Sequence, residues 1–189
     1  MEKNLKTTKK IVKKSFFNVK APLTSAVISL YGHEASEFDG RVVKLDLTRI
    51  LKGKSFELKL RINYVNNELE GTPIRLELMK SYILRAMRRG IDYVEDSFDG
   101  ECKDAKIRIK PFLIARNKVS RAVRKALRET AKKNILSYVK SRTAKEIFTE
   151  IMTNKLQKEL SLKLRKIYPL ALCEIRIFEI EEIIGNVKV

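Results

Sequence analysis

Residue types that build catalytic and metal sites are scarce in this sequence. Its 189 residues include two cysteines, one histidine and no tryptophan. Cys102 and Cys173 are far apart and neither belongs to a CxxC pair, so their spacing offers neither a zinc site nor a disulfide framework. His33 is the only histidine, which excludes any site that needs two imidazoles. We therefore expect no metal, no cofactor, no catalytic residue and no small-molecule substrate.

Long apolar runs are missing as well. No segment approaches the roughly 18 uninterrupted apolar residues of a membrane-spanning helix. The basic N-terminal sequence lacks the apolar core and the small-residue cleavage site of a secretory signal. We expect a protein that stays inside the cell, in the cytoplasm, and that is not embedded in a membrane.

Two segments resemble binding motifs but do not complete them. Gly53-Lys54-Ser55 looks like the end of a phosphate-binding loop, yet the pattern GxxxxGK[ST] requires glycine where Thr48 stands. We interpret this segment as a basic hairpin turn. The carboxylates of residues 92–104 miss the spacing of a calcium-binding EF-hand. We interpret them as a solvated turn, or as one that neutralises neighbouring basic residues.

Positive charge is abundant. The sequence has 41 Lys and Arg residues against 23 Asp and Glu residues, which gives a formal net charge of +18. Self-repulsion of this size opposes compaction unless an anionic partner supplies the opposite charge. Nucleic acid, an anionic membrane surface and an acidic protein are the candidate partners at this point.

The chain divides into a basic arm and a folded part. Residues 1–15 are rich in lysine and poor in apolar neighbours, so they cannot offset their own ordering entropy in isolation. From Phe16 onward, short segments rich in β-branched and aromatic residues alternate with Gly, Asp and Asn turns. The sequence predicts an N-terminal arm over residues 1–15 and a single α+β domain over residues 16–189, with three or more strands in its first third.

Period-two alternation predicts three individual strands of the sheet. In SFELKLRINYV, one face carries Phe56, Leu58, Leu60, Ile62 and Tyr64. The opposite, polar face carries Lys59 and Arg61. AKIRIKPFLIA and ALCEIRIFEIEEIIG alternate in the same way, and we expect two more strands there.

About three helices are expected, two of them long and C-terminal. The first lies near TPIRLELMKSYILRAMRRG and has Gly90 as its C-cap. In the second, RNKVSRAVRKALRETAKKNILSYVK, an apolar stripe runs from Val119 through Val123 and Leu127 to Val139, with basic residues on the other side. Thr143 and Glu146 have the spacing of a capping box, which predicts that the third helix starts there and runs to Pro169.

Several basic groups are predicted to contact RNA phosphates, because few acidic residues are interleaved with them. Arginine also suits bidentate phosphate contacts. With 7% aromatic residues and no RRM or KH motif, base stacking is not expected to be the main recognition mode. The candidate RNA-binding residues are Lys9, Lys10, Lys13, Lys14, Arg41, Lys59, Arg61, Arg85, Arg88, Arg89, Arg108, Lys110, Arg121, Arg124, Lys125, Arg128 and Lys132.

Several segments together resemble one protein family. KKIVKKSFFNVKAPL, GRVVKLDLTRI, KLRINYV, SYILRAMRR, KDAKIRIKP and RKIYPLALCEIRI are similar, in the same order along most of the chain, to segments of the S3Ae proteins of archaeal and eukaryotic small ribosomal subunits, called eS1 in systematic nomenclature. The resemblance implies an rRNA-bound α+β unit with a mixed or antiparallel, β-barrel-like core. It also implies a place on the platform near the mRNA exit, beside other small-subunit proteins and mRNA.

Two functions remain open from the residues alone. The first is a structural constituent of the small ribosomal subunit that binds rRNA through basic surfaces and is not an enzyme. The alternative is a non-ribosomal, basic RNA-binding regulator. A ribosomal protein should stay with the small subunit in a high-salt gradient, whereas a regulator should dissociate.

Overall fold

The fold is a mixed α+β arrangement, seen in a computed structural model that describes residues 13–24, 26–51 and 53–183. Those residues form nine strands: β1 (Ser15–Ala21), β2 (Ala26–Gly32), β3 (Val42–Asp46), β4 (Phe56–Val65), β5 (Glu68–Leu78), β6 (Tyr93–Glu95), β7 (Phe98–Glu101), β8 (Ala105–Ala115) and β9 (Leu170–Ile183). They also form four α-helices: α1 (Lys80–Ala86), α2 (Arg121–Val139), α3 (Ala144–Met152) and α4 (Lys155–Leu164). A short 3₁₀-helix spans Ala35–Phe38.

The described strands join in one sheet that does not close. Its main order is β2-β1-β5-β9-β8-β6, while β4 pairs with β3 and β5, and β7 pairs with β8. The β1–β5 pair is parallel, and β9 runs antiparallel to both β5 and β8. The expectation of a β-barrel-like core is therefore not confirmed, because no hydrogen-bonded pair among the described residues links the two ends of this order.

The described residues pack as two compact units. The first contains the residues up to Val42 together with Arg61–Thr72, and the second contains Val43–Leu60 together with the residues from Pro73 onward. In the first unit the core includes Val19, Phe38 and Leu69, all nearly inaccessible to solvent. A Cβ on Gly32 would lie 2.4 Å from Cζ of Phe38, so a larger residue at this position of β2 would have to displace the buried Phe38 ring.

The core of the second unit lies between its strands and three helices. Helices α3 and α4 pack against β9, and α2 contacts α4, β6 and β7. The rings of Phe148 in α3 and Phe178 in β9 meet edge to face, with centroids 4.7 Å apart. Pro111–Ala115 of β8 are all buried, so both faces of this strand are covered there.

The strands predicted from period-two alternation are confirmed. β4 spans Phe56–Val65 and buries alternate residues from Phe56 to Ile62, although Tyr64 at its end is 37% exposed. β8 and β9 cover the two other predicted segments. The first third of the chain also contains several strands, as expected.

Three predicted turn and helix assignments differ from the structure. TPIRLEL belongs to β5 and not to a helix, because Leu76 and Leu78 are buried while Glu77 between them is not. Helix α1 ends at Ala86, so Gly90 is not its C-cap, although Gly90 does adopt a φ of +81° in the turn that follows. The acidic segment 92–104 contains β6 and β7, both paired with β8, and is not simply a turn.

The third predicted helix begins as expected but is divided in two. Thr143 and Glu146 form both hydrogen bonds of the capping box at the start of α3. Asn154, however, adopts a left-handed conformation with a φ of 63°, which ends α3 and starts α4. Asparagine tolerates this conformation better than most residues do. The number of α-helices among the described residues is therefore four, and α2 is the one long helix among them.

Candidate nucleic-acid interface

The N-terminal part of α2 projects basic side chains from a region with no buried residue. Leu127 is the first buried residue of the helix, and Ala131, Ile135 and Val139 follow it at four-residue steps. Val123 is half-buried, so the predicted apolar stripe begins later than the sequence pattern indicated. The basic residues that share one surface here, at i, i+3, i+4, i+7 and i+11, are Arg121, Arg124, Lys125, Arg128 and Lys132. We call them the α2 basic face.

The charge of the α2 basic face is mostly uncompensated. Arg124 is half-buried and the other four side chains are exposed. Glu129 is the one acidic residue in α2, and its carboxylate lies 3.9 Å from Nζ of Lys125. An exposed pair at this distance contributes little. Lys132 lies over the Phe98 ring, with Nζ 5.7 Å from the centroid. The face can therefore attract an anion without first breaking strong ion pairs.

A second basic site forms where the α1–β6 loop meets the β8–α2 loop. The backbone oxygen of Asp92 accepts a hydrogen bond from the Ala115 amide at 3.0 Å. Its carboxylate accepts one from the Val119 amide at 2.9 Å. Asp92 thus ties the chain just after Arg88 to the chain around Arg116.

Arg88 and Arg116 line the same open groove, which we call the arginine groove. Its volume is about 550 Å³, and its remaining lining residues are Ala86, Ile91, Asn117, Ala171 and Leu172. Both arginines are exposed. Two guanidinium groups beside an apolar floor can hold a phosphate by bidentate hydrogen bonds while the floor contacts a sugar or base.

Arg116 and neighbouring Lys118 were missed by the sequence analysis. These residues belong to no periodic pattern, because they stand in the short loop before Ser120, whose hydroxyl accepts a hydrogen bond from the Val123 amide at the start of α2. The sequence signal for these two basic residues is the triplet Arg116-Asn117-Lys118 shortly before a basic helix, since a loop at that position must lie beside the first helical turn.

The three predicted arginines around α1 differ in their surroundings. Arg85 donates to the backbone oxygen of Ser81 at 3.3 Å and to the Ser55 hydroxyl at 3.4 Å. Its guanidinium also lies 6.0 Å from the centroid of the Tyr82 ring. Arg88 and Arg89 are exposed in the loop after the helix. Of the three, Arg88 and Arg89 are the better placed for an external ligand.

The predicted residues on β8 lie in an acidic environment. Arg108 pairs with Asp99 at 2.8 Å and with Glu181 at 2.6 Å. The hydrogen bond to Asp99 and the charge of that carboxylate raise the pKa of Arg108. Lys110 is half-buried on the same strand. Because Asp99 and Glu181 already compensate the charge of Arg108, this arginine is a weaker candidate for phosphate binding than the α2 basic face.

The other predicted residues are distributed over several elements. Arg41 pairs with Glu37 at 3.0 Å. Lys59 is half-buried on β4, and Arg61 is exposed further along that strand. Lys9 and Lys10 lie outside the described residues. Lys13 and Lys14 are both exposed directly before β1.

The potential metal ligands and the two thiols can be described within residues 13–24, 26–51 and 53–183. No group of His, Cys, Asp and Glu side chains there could hold a metal ion. Burial raises the pKa of the Cys102 and Cys173 thiols to about 12, so neither is a thiolate nucleophile near neutral pH. None of the helices in this part of the chain is long and apolar enough to cross a membrane.

Comparison with known proteins gives one consistent match. The profile of the Ribosomal S3Ae family matches residues 2–183. Small ribosomal subunit protein eS1 of Nanoarchaeum equitans is 25% identical over 178 residues, which cover 89% of each chain. The eS1 protein of Desulfurococcus amylolyticus is 24% identical over 86% of this chain and 80% of its own length. That of Methanothermobacter thermautotrophicus is 26% identical over 69% and 68%, respectively.

Proposed function

The chain belongs to the Ribosomal S3Ae family, and from this premise we propose that it binds small-subunit rRNA through the α2 basic face and the arginine groove. Family membership makes it a protein of the small ribosomal subunit. Its role is structural and not enzymatic, and its place is on cytoplasmic ribosomes. The resemblance noted in the sequence further supports a position on the platform near the mRNA exit, next to other small-subunit proteins and mRNA.

The observation that carries this proposal is the uncompensated charge at the start of α2. Several cations elsewhere in the second unit are paired with carboxylates, such as Arg108 with Asp99 and Lys106 with Glu182. The α2 basic face offers five cations against Glu129 alone. A surface of this kind neutralises RNA phosphates and releases their counterions, which is the main source of affinity for nucleic acid.

The arginine groove adds geometry to this charge. Asp92 ties together the two loops that carry Arg88 and Arg116, so the backbone at both positions is held before RNA arrives, while the two side chains are exposed. Pre-organised contacts to phosphate and sugar set orientation without reading base sequence. Folded rRNA, which presents phosphates at fixed positions, is therefore a better ligand for this surface than a particular short sequence.

The α2 basic face can be tested by removing charge without changing side-chain length greatly. Arg121, Arg124, Lys125 and Arg128 are changed together to Gln, which keeps helix propensity. We expect weaker binding to small-subunit rRNA and a log–log salt dependence whose slope is smaller by about 3, since each phosphate contact contributes roughly 0.7–0.9. Incorporation into small subunits should fall only in part, because the arginine groove and the N-terminal lysines remain.

A control with the same change of charge uses cations that already have acidic partners. Arg41, Lys44, Lys106 and Lys155 are all exposed and pair with Glu37, Glu57, Glu182 and Glu150, respectively. Changing these four to Gln should reduce rRNA affinity much less, and exposed ion pairs of this kind contribute little to stability. Equal salt slopes for the two quadruple variants would contradict a specific role for the α2 basic face. Loss of the parent protein from small subunits in a high-salt gradient would instead support the free-standing regulator.

A further inference from the structure

The β1–β2 hairpin exposes an aromatic face. In the antiparallel register Phe16 pairs with Tyr31, and Asn18 pairs with Ser29. Phe16 is 73% exposed and Tyr31 is 57% exposed. Residues on the other side of β1, such as Val19, are buried in the first unit. The hairpin therefore separates a packed face from an open face that carries two large rings.

The two exposed rings form one continuous aromatic surface. Their centroids are 4.9 Å apart and their planes are tilted by 45°. Nζ of Lys14 lies 5.8 Å from the centroid of Tyr31. Exposed rings that pack on each other without being covered are typical of surfaces that contact a partner.

The charge around these rings favours an anionic partner. Residues 13–33 contain no Asp or Glu, and they include Lys13, Lys14 and Lys20. Lys13 and Lys14 directly precede β1 and are exposed. Lys20 at the other end of β1 pairs with Glu68 at 2.7 Å. Aromatic faces combined with nearby cations are the arrangement that binds single-stranded nucleic acid, in which bases stack on rings while cations follow the phosphates.

A groove beside Phe16 supplies polar groups next to the rings. Its volume is about 280 Å³, and Asn18, Lys20, Asn67 and Glu68 are among its lining residues. Asn67 follows Asn66 in the two-residue turn between β4 and β5, where both adopt positive φ. Side-chain amides both donate and accept hydrogen bonds, as the exposed edges of an unpaired base require.

We infer that the exposed face of the β1–β2 hairpin binds an unpaired base of RNA by stacking on Phe16 and Tyr31. This inference rests on the proposed rRNA-binding function and adds a second mode of recognition to it. The α2 basic face and the arginine groove bind phosphates of folded RNA, whereas the hairpin selects a strand whose bases are free. The low aromatic content of the whole chain conceals this site, because two rings brought together by strand pairing are sufficient.

The test compares single-stranded and duplex RNA as probes for the full chain. The first probe is an oligouridine of about 12 nucleotides with one central 2-aminopurine, and the second is the same strand in a duplex. The variant Phe16→Leu/Tyr31→Leu removes both rings but no charge. The matched variant Phe16→Tyr/Tyr31→Phe exchanges the rings and keeps both stacking surfaces. The exposure of both positions makes either change compatible with folding.

The leucine variant should bind the single strand about ten-fold more weakly, with an unchanged salt slope and without quenching of 2-aminopurine fluorescence. Its affinity for the duplex should stay within about two-fold of the parent. The exchanged variant should restore both single-strand affinity and quenching. Equal single-strand affinities for the parent and the leucine variant would overturn the inference. If the leucine variant in that case also failed to enter small subunits, the hairpin would be a protein-docking face.

These outcomes are distinct from failure of the proposed function. If the parent bound neither probe and showed no salt dependence with small-subunit rRNA, the proposed function itself would fail. If rRNA binding followed the α2 basic face but the leucine variant behaved like the parent, only the stacking inference would be wrong.

Discussion

Leu60 offers a direct measure of how strongly β4 depends on its buried face. Its exposure is 1%, and Leu58 and Ile62 on the same face are fully buried. Truncation of a buried leucine to alanine typically costs about 2–5 kcal/mol. Single domains are stable by about 5–15 kcal/mol. We expect Leu60→Ala to fold with a large loss of stability, and Leu60→Asp, which adds an unpaired buried carboxylate, not to fold.

Urea unfolding followed by circular dichroism gives the measurement. With a loss of about 2–5 kcal/mol and a denaturant dependence of about 1–3 kcal/mol per M, Leu60→Ala should lower the unfolding midpoint by at least about 0.7 M. Lys59→Glu on the other face of β4 is the control, and its free energy of unfolding should stay within about 0.5 kcal/mol of the parent. The reasoning is refuted if Leu60→Ala and Lys59→Glu shift the midpoint by the same amount, or if Leu60→Asp melts like the parent.

Three further predictions concern the second unit. Thr143→Ala should lower stability by about 1 kcal/mol in thermal melts at neutral pH, because it removes the N-cap of α3. The hydrogen bond from the Thr143 amide lowers the pKa of Glu146 below its ordinary value of 4.5, so this carboxylate's contribution is present above pH 4.5 and is lost as pH falls through its folded pKa. Glu146→Gln should therefore melt below the parent at neutral pH and match it in acid below that folded pKa; equal melts at neutral pH would contradict this. Cys102 and Cys173 should not react with Ellman's reagent at pH 8 until the protein unfolds, because burial raises the pKa of both thiols to about 12; rapid reaction of the folded protein would show that they are accessible thiolates.

The sequence predicted those parts of the fold that depend on local patterns. Alternation identified β4, because every second residue from Phe56 to Ile62 is buried. The spacing of Thr143 and Glu146 identified the start of α3, since the capping box forms within four residues. The resemblance to the S3Ae family was also visible in the sequence, because similar segments occur in the same order along the chain. The family match to residues 2–183 confirms this resemblance.

Features that depend on distant residues could not be predicted in this way. The apolar spacing runs without interruption across Asn154, so nothing in the period revealed that its left-handed conformation divides α3 from α4. Arg108 looked like a free cation on a polar face, but strand pairing places it beside Asp99 of β7 and Glu181 of β9. Arg116 joins Arg88 only because Asp92 bonds the two loops together.

The position of β9 has a consequence for how the protein is made. This strand lies between β5 and β8, yet it follows every other described strand in the sequence. Before β9 is synthesised, the backbone groups of β5 and β8 that pair with β9 have no hydrogen-bond partner there. The apolar segment Pro111–Ala115 of β8 likewise lacks its neighbouring strand. Unpaired strand edges of this kind can pair with strands of other chains and so promote aggregation. A component of the translation machinery thus completes this sheet only after every other described strand has been synthesised.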